Sequence, residues 1–248
     1  KENRCIMNRK SKLFKILKRV ILVIVLVFAL LTVGLAIYSS TSYKSLPEMD
    51  IAIDALDLTS VTYTEGRTSI KYEVTDPKMN IIFIPGGLVE PDSYKYLAAG
   101  LALDGYNVTI VKVLFNLAIL TPNSSARFID NDLDNVIIGH SLGGVVASMV
   151  ASKHSEITKI IMLGSYPINN IQAQSSLFIT AEHDDAMDQK EFNDSLKYVN
   201  SENIIFNIDG GNHAQFGWYG PQKGDGTAEM TTLEQQNIVI SQILLFLD

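Results

Sequence analysis

Apolar positions along this chain follow two regimes. From Val20 to Tyr38 they dominate, a segment mostly of Val, Ile, Leu and Ala with no charged side chain. As a helix, 19 such residues rising about 1.5 Å each would reach roughly 28 Å, close to the about 30 Å of a bilayer's hydrocarbon core. One membrane-spanning helix is therefore predicted over 20–38. Further on, the apolar residues gather into short runs separated by polar turns. Runs at 60–63 and 68–74 read as a hairpin around Glu65-Gly66. Runs at 80–85, 106–111, 136–139, 159–163, 176–180 and 203–208 read as further strands. Helical spacing appears at 91–104, ending at Gly105, and at 144–151, 187–199 and 232–247. Val/Ile-rich strands alternating with helices predict an α/β fold, a mostly parallel sheet covered on both faces. In such sheets the ligand site lies beyond the C-terminal ends of the strands.

Charge divides the chain at the same place. Residues 1–38 carry eight basic side chains and one acidic one, whereas 39–248 carry 12 basic and 26 acidic, a net −14. Basic residues before an apolar span hold that end in the cytoplasm, so the remainder is expected outside the cell. A cleaved signal peptide is the competing reading, but its apolar region is usually about 7–15 residues long. Ala36-Ile37-Tyr38-Ser39-Ser40 also makes a poor cleavage site, with Tyr38 before the small serines. The expected organisation is a basic tail 1–19, an anchor 20–38, a linker 39–58 and a folded domain 59–248. A domain this acidic excludes nucleic acid as a partner. The single cysteine, Cys5, precedes the anchor, so the domain has no disulfide framework and rests on its core. No histidine/carboxylate cluster has metal-ligand spacing, and no cofactor is expected.

Candidate chemistry begins at Gly139-His140-Ser141-Leu142-Gly143, a G-x-S-x-G run between a predicted strand and a predicted helix. A serine on such a turn is held out with its hydroxyl exposed, and the flanking glycines avoid clashes with strand and helix. A hydroxyl needs an imidazole to take its proton, and the imidazole needs a carboxylate to fix its tautomer. Glu182, His183, Asp184 and Asp185 follow the strand at 176–180, and Gly210-Gly211-Asn212-His213 follow the last strand. His213 is the expected base and Asp184 the expected acid, with Asp185 as alternate. Glu182 and Asp188 read as solvated or capping residues. His140 should point away from the serine, His154 suits a helix C-terminus, and His183 lies on the acid loop. Backbone N–H groups of Leu142 and of Gly87 or Leu88, in Pro85-Gly86-Gly87-Leu88, are the expected oxyanion donors.

These blocks, with Gly-Gly-Asn-His-Ala-Gln-Phe-Gly-Trp-Tyr-Gly at 210–220 as the most specific, resemble α/β hydrolases. The resemblance is to the small bacterial branch related to dienelactone hydrolases, and covers about residues 58–248. It implies Ser141 as nucleophile, Asp184 as acid and His213 as base of a serine esterase. Dienelactone hydrolases proper use a cysteine where this chain has Ser141, so their particular substrate is not implied. Residues 164–174 leave no room for a lid between strands, so an open site for small-molecule or envelope-linked esters is expected. Phe115, Asn116, Leu117, Phe216, Trp218 and Tyr219 are candidates to line it. Acyl transfer to an envelope component by the same residues is the alternative enzymatic reading. A non-catalytic anchored binding module is the alternative from another class.

Overall fold

The structure, a computed structural model, describes residues 2–199 and 202–248, with side chains over 13–199 and 203–248. Lys1 and the side chains of Arg4, Cys5, Arg9, Lys10 and Lys12, which belong to the expected basic tail, lie outside the described residues. The chain divides into two compact units, Lys1–Thr41 and Ser42–Asp248.

The first unit is a single helix, α1 (Glu2–Ser39). Within it Leu13–Ser39 is long and apolar enough to cross a membrane. Its apolar side chains are exposed all round, a surface that suits lipid rather than water. The helix continues back through the basic segment because Lys, Arg, Leu and Ile there all sustain helical backbone.

The second unit starts at Ser42, so most of the expected linker belongs to the folded domain. A short helix, α2 (Glu48–Asp54), buries Met49 against Tyr96 and Trp218. The Leu46 N–H donates to Trp218 O at 3.0 Å. Main-chain bonds of this kind leave no mark on the pattern of side chains, and that is why the segment reads as a linker.

Eight strands form one sheet in the order β1-β2-β4-β3-β5-β6-β7-β8. The hairpin β1 (Val61–Glu65) and β2 (Ser69–Val74) joins antiparallel to β4 (Asn107–Val111). The others, β3 (Asn80–Ile84), β5 (Asn135–His140), β6 (Ile157–Leu163), β7 (Ser175–Ala181) and β8 (Glu202–Ile208), run parallel with β4. Side chains of a strand alternate between faces, and here both faces are buried. Ile81 and Phe83 pack with α3 (Lys95–Leu103) and α6 (Thr232–Leu247). Ile82 and Ile84 pack on the other side with α4 (Leu142–Ala151) and Phe192 of α5 (Gln189–Ser195). Two of the predicted helices are shorter than expected. The one at 91–104 opens as a 3₁₀ turn, Pro91–Tyr94, and the one at 187–199 ends as another, Leu196–Tyr198. Residues 164–174 join β6 to β7 without a helix, so no lid stands over the strand ends.

Candidate active site

Ser141 occupies the single residue between β5 and α4, with φ 52° and ψ −125°. Such backbone costs a non-glycine residue on the order of 1–3 kcal/mol and persists only where its surroundings over-determine it. Here they do. Ser141 N–H donates to Leu163 O at 3.0 Å, and its carbonyl accepts from Gly144 N–H at 2.9 Å and Ser165 Oγ at 2.6 Å. A Cβ at Gly143 would run into the carbonyl oxygens of Ile84 and Pro85, and one at Gly139 into the carbonyl of Gly143. Strand and helix therefore meet at bare backbone, and the serine is pushed outward.

His213 follows β8 and Asp184 follows β7. His213 Nδ1 lies 2.8 Å from Asp184 Oδ2, with the two side chains 2% and 0% exposed. Asp184 Oδ1 accepts the N–H groups of Met187 at 2.8 Å and Ala186 at 3.1 Å. The carboxylate is thus fully bonded although dry, as a buried charge requires. Asp185 is exposed. The other expected candidates have different partners. Glu182 accepts Gly210 N–H, Asp188 caps α5, His183 Nε2 faces Glu229 at 3.5 Å, and His154 Nδ1 lies 4.0 Å from Glu156.

Several residues that shape the site were not singled out in the sequence. Gly164 has φ 50°, and a Cβ there would come within 2.8 Å of Asp184 Oδ2 and 2.9 Å of His213 Nδ1. Asp225 accepts the N–H groups of His213 at 3.3 Å and Ala214 at 2.8 Å. Gln235 of α6, fully buried, accepts Asn212 N–H at 3.0 Å and donates to Asn212 O at 2.8 Å. A glutamine on the apolar face of α6 is the one signal that could have pointed to this role.

On the other side of Ser141 lies the Gly86-Gly87 loop. Leu88, expected as a donor, has its N–H engaged by Asn116 O at 2.8 Å. The N–H groups of Gly87 and Leu142 have no acceptor among the described residues. The two residues adjoin, since a Cβ on Gly87 would sit 2.9 Å from Leu142 Cδ2 and 3.3 Å from its Cβ. Ser141 lines two clefts. One, ≈ 260 Å³, is bounded by Tyr43, Gly87, Leu88, Leu142, Gln222 and Lys223. The other, ≈ 280 Å³, is bounded by Val145, Ser165, Tyr166, Met187 and His213. None of the six residues expected to line the site borders either cleft. Phe216, Trp218 and Tyr219 are buried, and Phe115, Asn116 and Leu117 belong to a distorted 3₁₀ turn, Leu114–Asn116, and the residue after it.

His140 is fully buried, and its Nδ1 lies 2.8 Å from the Tyr94 hydroxyl. That hydroxyl also accepts Gly86 N–H at 3.0 Å, so Tyr94 ties His140 to the Gly86-Gly87 loop. Burial above all, and then the neighbouring His213, pushes the His140 pKa well down and keeps the ring neutral. Tyr94→Phe would strand both Gly86 N–H and His140 Nδ1 inside the core. The variant is expected to lose about 1–3 kcal/mol of stability per unpaired group. Thermal unfolding measures this, and a parent-like melting temperature would show that the hydroxyl does not hold the loop.

Comparison with known proteins follows the same lines. A model of the alpha/beta hydrolase family matches residues 80–237. Among solved structures, the dienelactone hydrolase of Anabaena variabilis superposes with a TM-score of 0.55 at 12% identity, covering 75% of this chain and 98% of that one. An esterase of Pyrobaculum calidifontis gives 0.53 at 12% identity, covering 88% and 92%. A ferulic acid esterase of Streptomyces cinnamoneus gives 0.55 at 15% identity, covering 69% and 67%. No curated protein sequence matches significantly. At these identities the superpositions speak for the fold alone, while the family match runs from β3 through the elbow into the first turns of α6, and the chain belongs to the alpha/beta hydrolase family.

Proposed function

We propose that this protein is a serine esterase working through Ser141, His213 and Asp184, tethered outside the cell by α1. The observation that carries the reading is the sealed 2.8 Å pairing of His213 Nδ1 with Asp184 Oδ2, on a cleft that Ser141 also lines. With Nδ1 committed to the carboxylate, Nε2 is left to accept the serine proton. Ser141 Oγ attacks the ester carbonyl as His213 takes its proton. The oxyanion that forms is met by the N–H groups of Gly87 and Leu142, the latter at the positive end of α4. Collapse expels the alcohol, to which His213 returns the proton. Water activated by His213 then releases the acid and the free serine. The basic residues preceding the apolar span of α1 support an orientation with the domain outside.

A fluorophosphonate probe on the full chain in detergent tests the reading. The parent is expected to label stoichiometrically, and Ser141→Ala not at all. A folded parent that neither labels nor cleaves short-chain esters would overturn the assignment. Product analysis with added alcohol separates free acid from new ester, and so hydrolysis from acyl transfer.

A further inference from the structure

We propose that the strap Ser42–Leu46 is a working part of the active site, with Tyr43 as a positioning residue for the Gly87 N–H. The proposal rests on the serine-esterase reading above. Tyr43 pairs with Val89 in an isolated parallel bridge. Its N–H donates to Leu88 O at 2.8 Å, and its carbonyl accepts Glu90 N–H at 2.9 Å. Leu88, at φ 55°, is also held from the other end, where its N–H donates to Asn116 O. Asn116, itself at φ 52°, donates its side-chain amide to Ser42 Oγ at 3.0 Å. One strap thus secures both grips on Leu88. Gly86 O, which shares a peptide plane with Gly87 N–H, accepts Val89 N–H at 3.3 Å. The direction of the Gly87 N–H is therefore set by residues that the strap holds.

The strap also reaches the histidine loop. Tyr43 Oη accepts Lys223 N–H at 3.1 Å, its ring lies 5.4 Å from that of Tyr219, and Leu46 N–H donates to Trp218 O at 3.0 Å. It braces the loop that carries Gly87 against the chain that follows His213. Among the described residues, three of the five non-glycine positions with positive φ, namely Leu88, Phe115 and Asn116, cluster at this brace. Backbone of that kind relaxes when its restraints are removed. Release of the domain from its anchor is then harmless if the chain is cut before Ser42. A cut that removes the strap leaves a folded but slow enzyme.

Full-chain variants in detergent test this, with kcat and KM for a short-chain ester read beside the melting temperature. Tyr43→Pro deletes the N–H that holds Leu88. It is expected to lower kcat by about ten- to a hundredfold, because a misaimed oxyanion donor affects the transition state more than substrate binding. As it also removes a ring bordering the cleft, KM is read on Asn116→Gly, which borders neither cleft and is expected to keep KM within about twofold. Tyr43→Phe keeps ring and main-chain bonds and restores most of the activity. If Tyr43→Pro fails to fold, Asn116→Gly decides, since glycine accepts the left-handed backbone and only the tie to Ser42 is lost. A lowered kcat at parent melting temperature supports the brace. Parent kcat in a folded Tyr43→Pro or Asn116→Gly variant overturns it. Failure of the parent itself to label with fluorophosphonate would instead overturn the esterase reading.

Discussion

Ser141→Ala and His213→Ala are each expected to reduce ester turnover by about 10⁴- to 10⁶-fold, and the double variant no further, because nucleophile and base act as one unit. Asp184→Asn should cost less, on the order of 10³- to 10⁴-fold. The amide can still meet Nδ1 but favours the wrong tautomer and cannot balance the imidazolium charge. The three variants differ in their effect on folding, and this makes the comparison informative. Ser141→Ala removes a hydroxyl beside open clefts and should leave melting unchanged. His213→Ala strips a partner from a carboxylate that is 0% exposed. The two N–H groups from Ala186 and Met187 remain on its other oxygen, so the loss is expected to be about 1–3 kcal/mol rather than complete unfolding. Steady-state kinetics together with calorimetry on all three separates chemistry from stability. Additive losses in the double variant would mean that Ser141 and His213 do not work on the same proton.

Gly143→Ala should be the most damaging of conservative changes to the fold. Helix propensity alone favours alanine over glycine inside a helix by about 1 kcal/mol, and Gly143 lies in the first turn of α4. Packing points the other way. The new methyl would meet two carbonyl oxygens at the end of β3, and neither belongs to a side chain that can swing aside. To relieve the contact α4 must lift from the sheet, taking Val146 and Val150 out of the core on that face. A loss of more than about 3 kcal/mol is expected, above the usual range for overpacking because backbone gives way less readily. Gly66→Ala serves as the control, since the nearest atom to its Cβ would be 3.8 Å away. A Gly143→Ala protein that melts with the parent would mean that the strand–helix junction is looser than its contacts require.

What was legible in the sequence follows from which forces leave a trace in residue type. The central strands were visible because they are buried on both faces, which forces runs such as Ile81–Ile84 to be apolar, while the exposed β1 was legible only through its hairpin turn with β2. Ser141, Asp184 and His213 were visible as a pattern because each sits at the end of such a run. The connection from Lys112 to Asp134 was opaque. It folds as successive 3₁₀ turns whose shape comes from local main-chain bonds rather than from a repeating apolar face. The same blindness affected Leu88, whose side chain says nothing of an N–H already engaged by Asn116. Phe216, Trp218 and Tyr219 were placed by proximity to His213 along the chain. The backbone turns after His213 and sends them inward, Trp218 toward Met49 and Tyr96. Gly164 and Asp225 act on His213 through space, and no spacing rule connects positions so far apart.

The grip of Gln235 on Asn212 also sets an order of events. Gln235 belongs to α6, which follows every strand of the sheet, and it fixes both main-chain groups of the residue before His213. Chains are made from the N-terminus, and their parts settle roughly in that sequence. The elbow serine and the carboxylate can be in place while the ribosome is still at work, but the main chain leading into His213 gains its two bonds to Gln235 only when α6 has emerged and docked. Enzymatic competence therefore waits on the docking of α6, long after the residues of the elbow have been made.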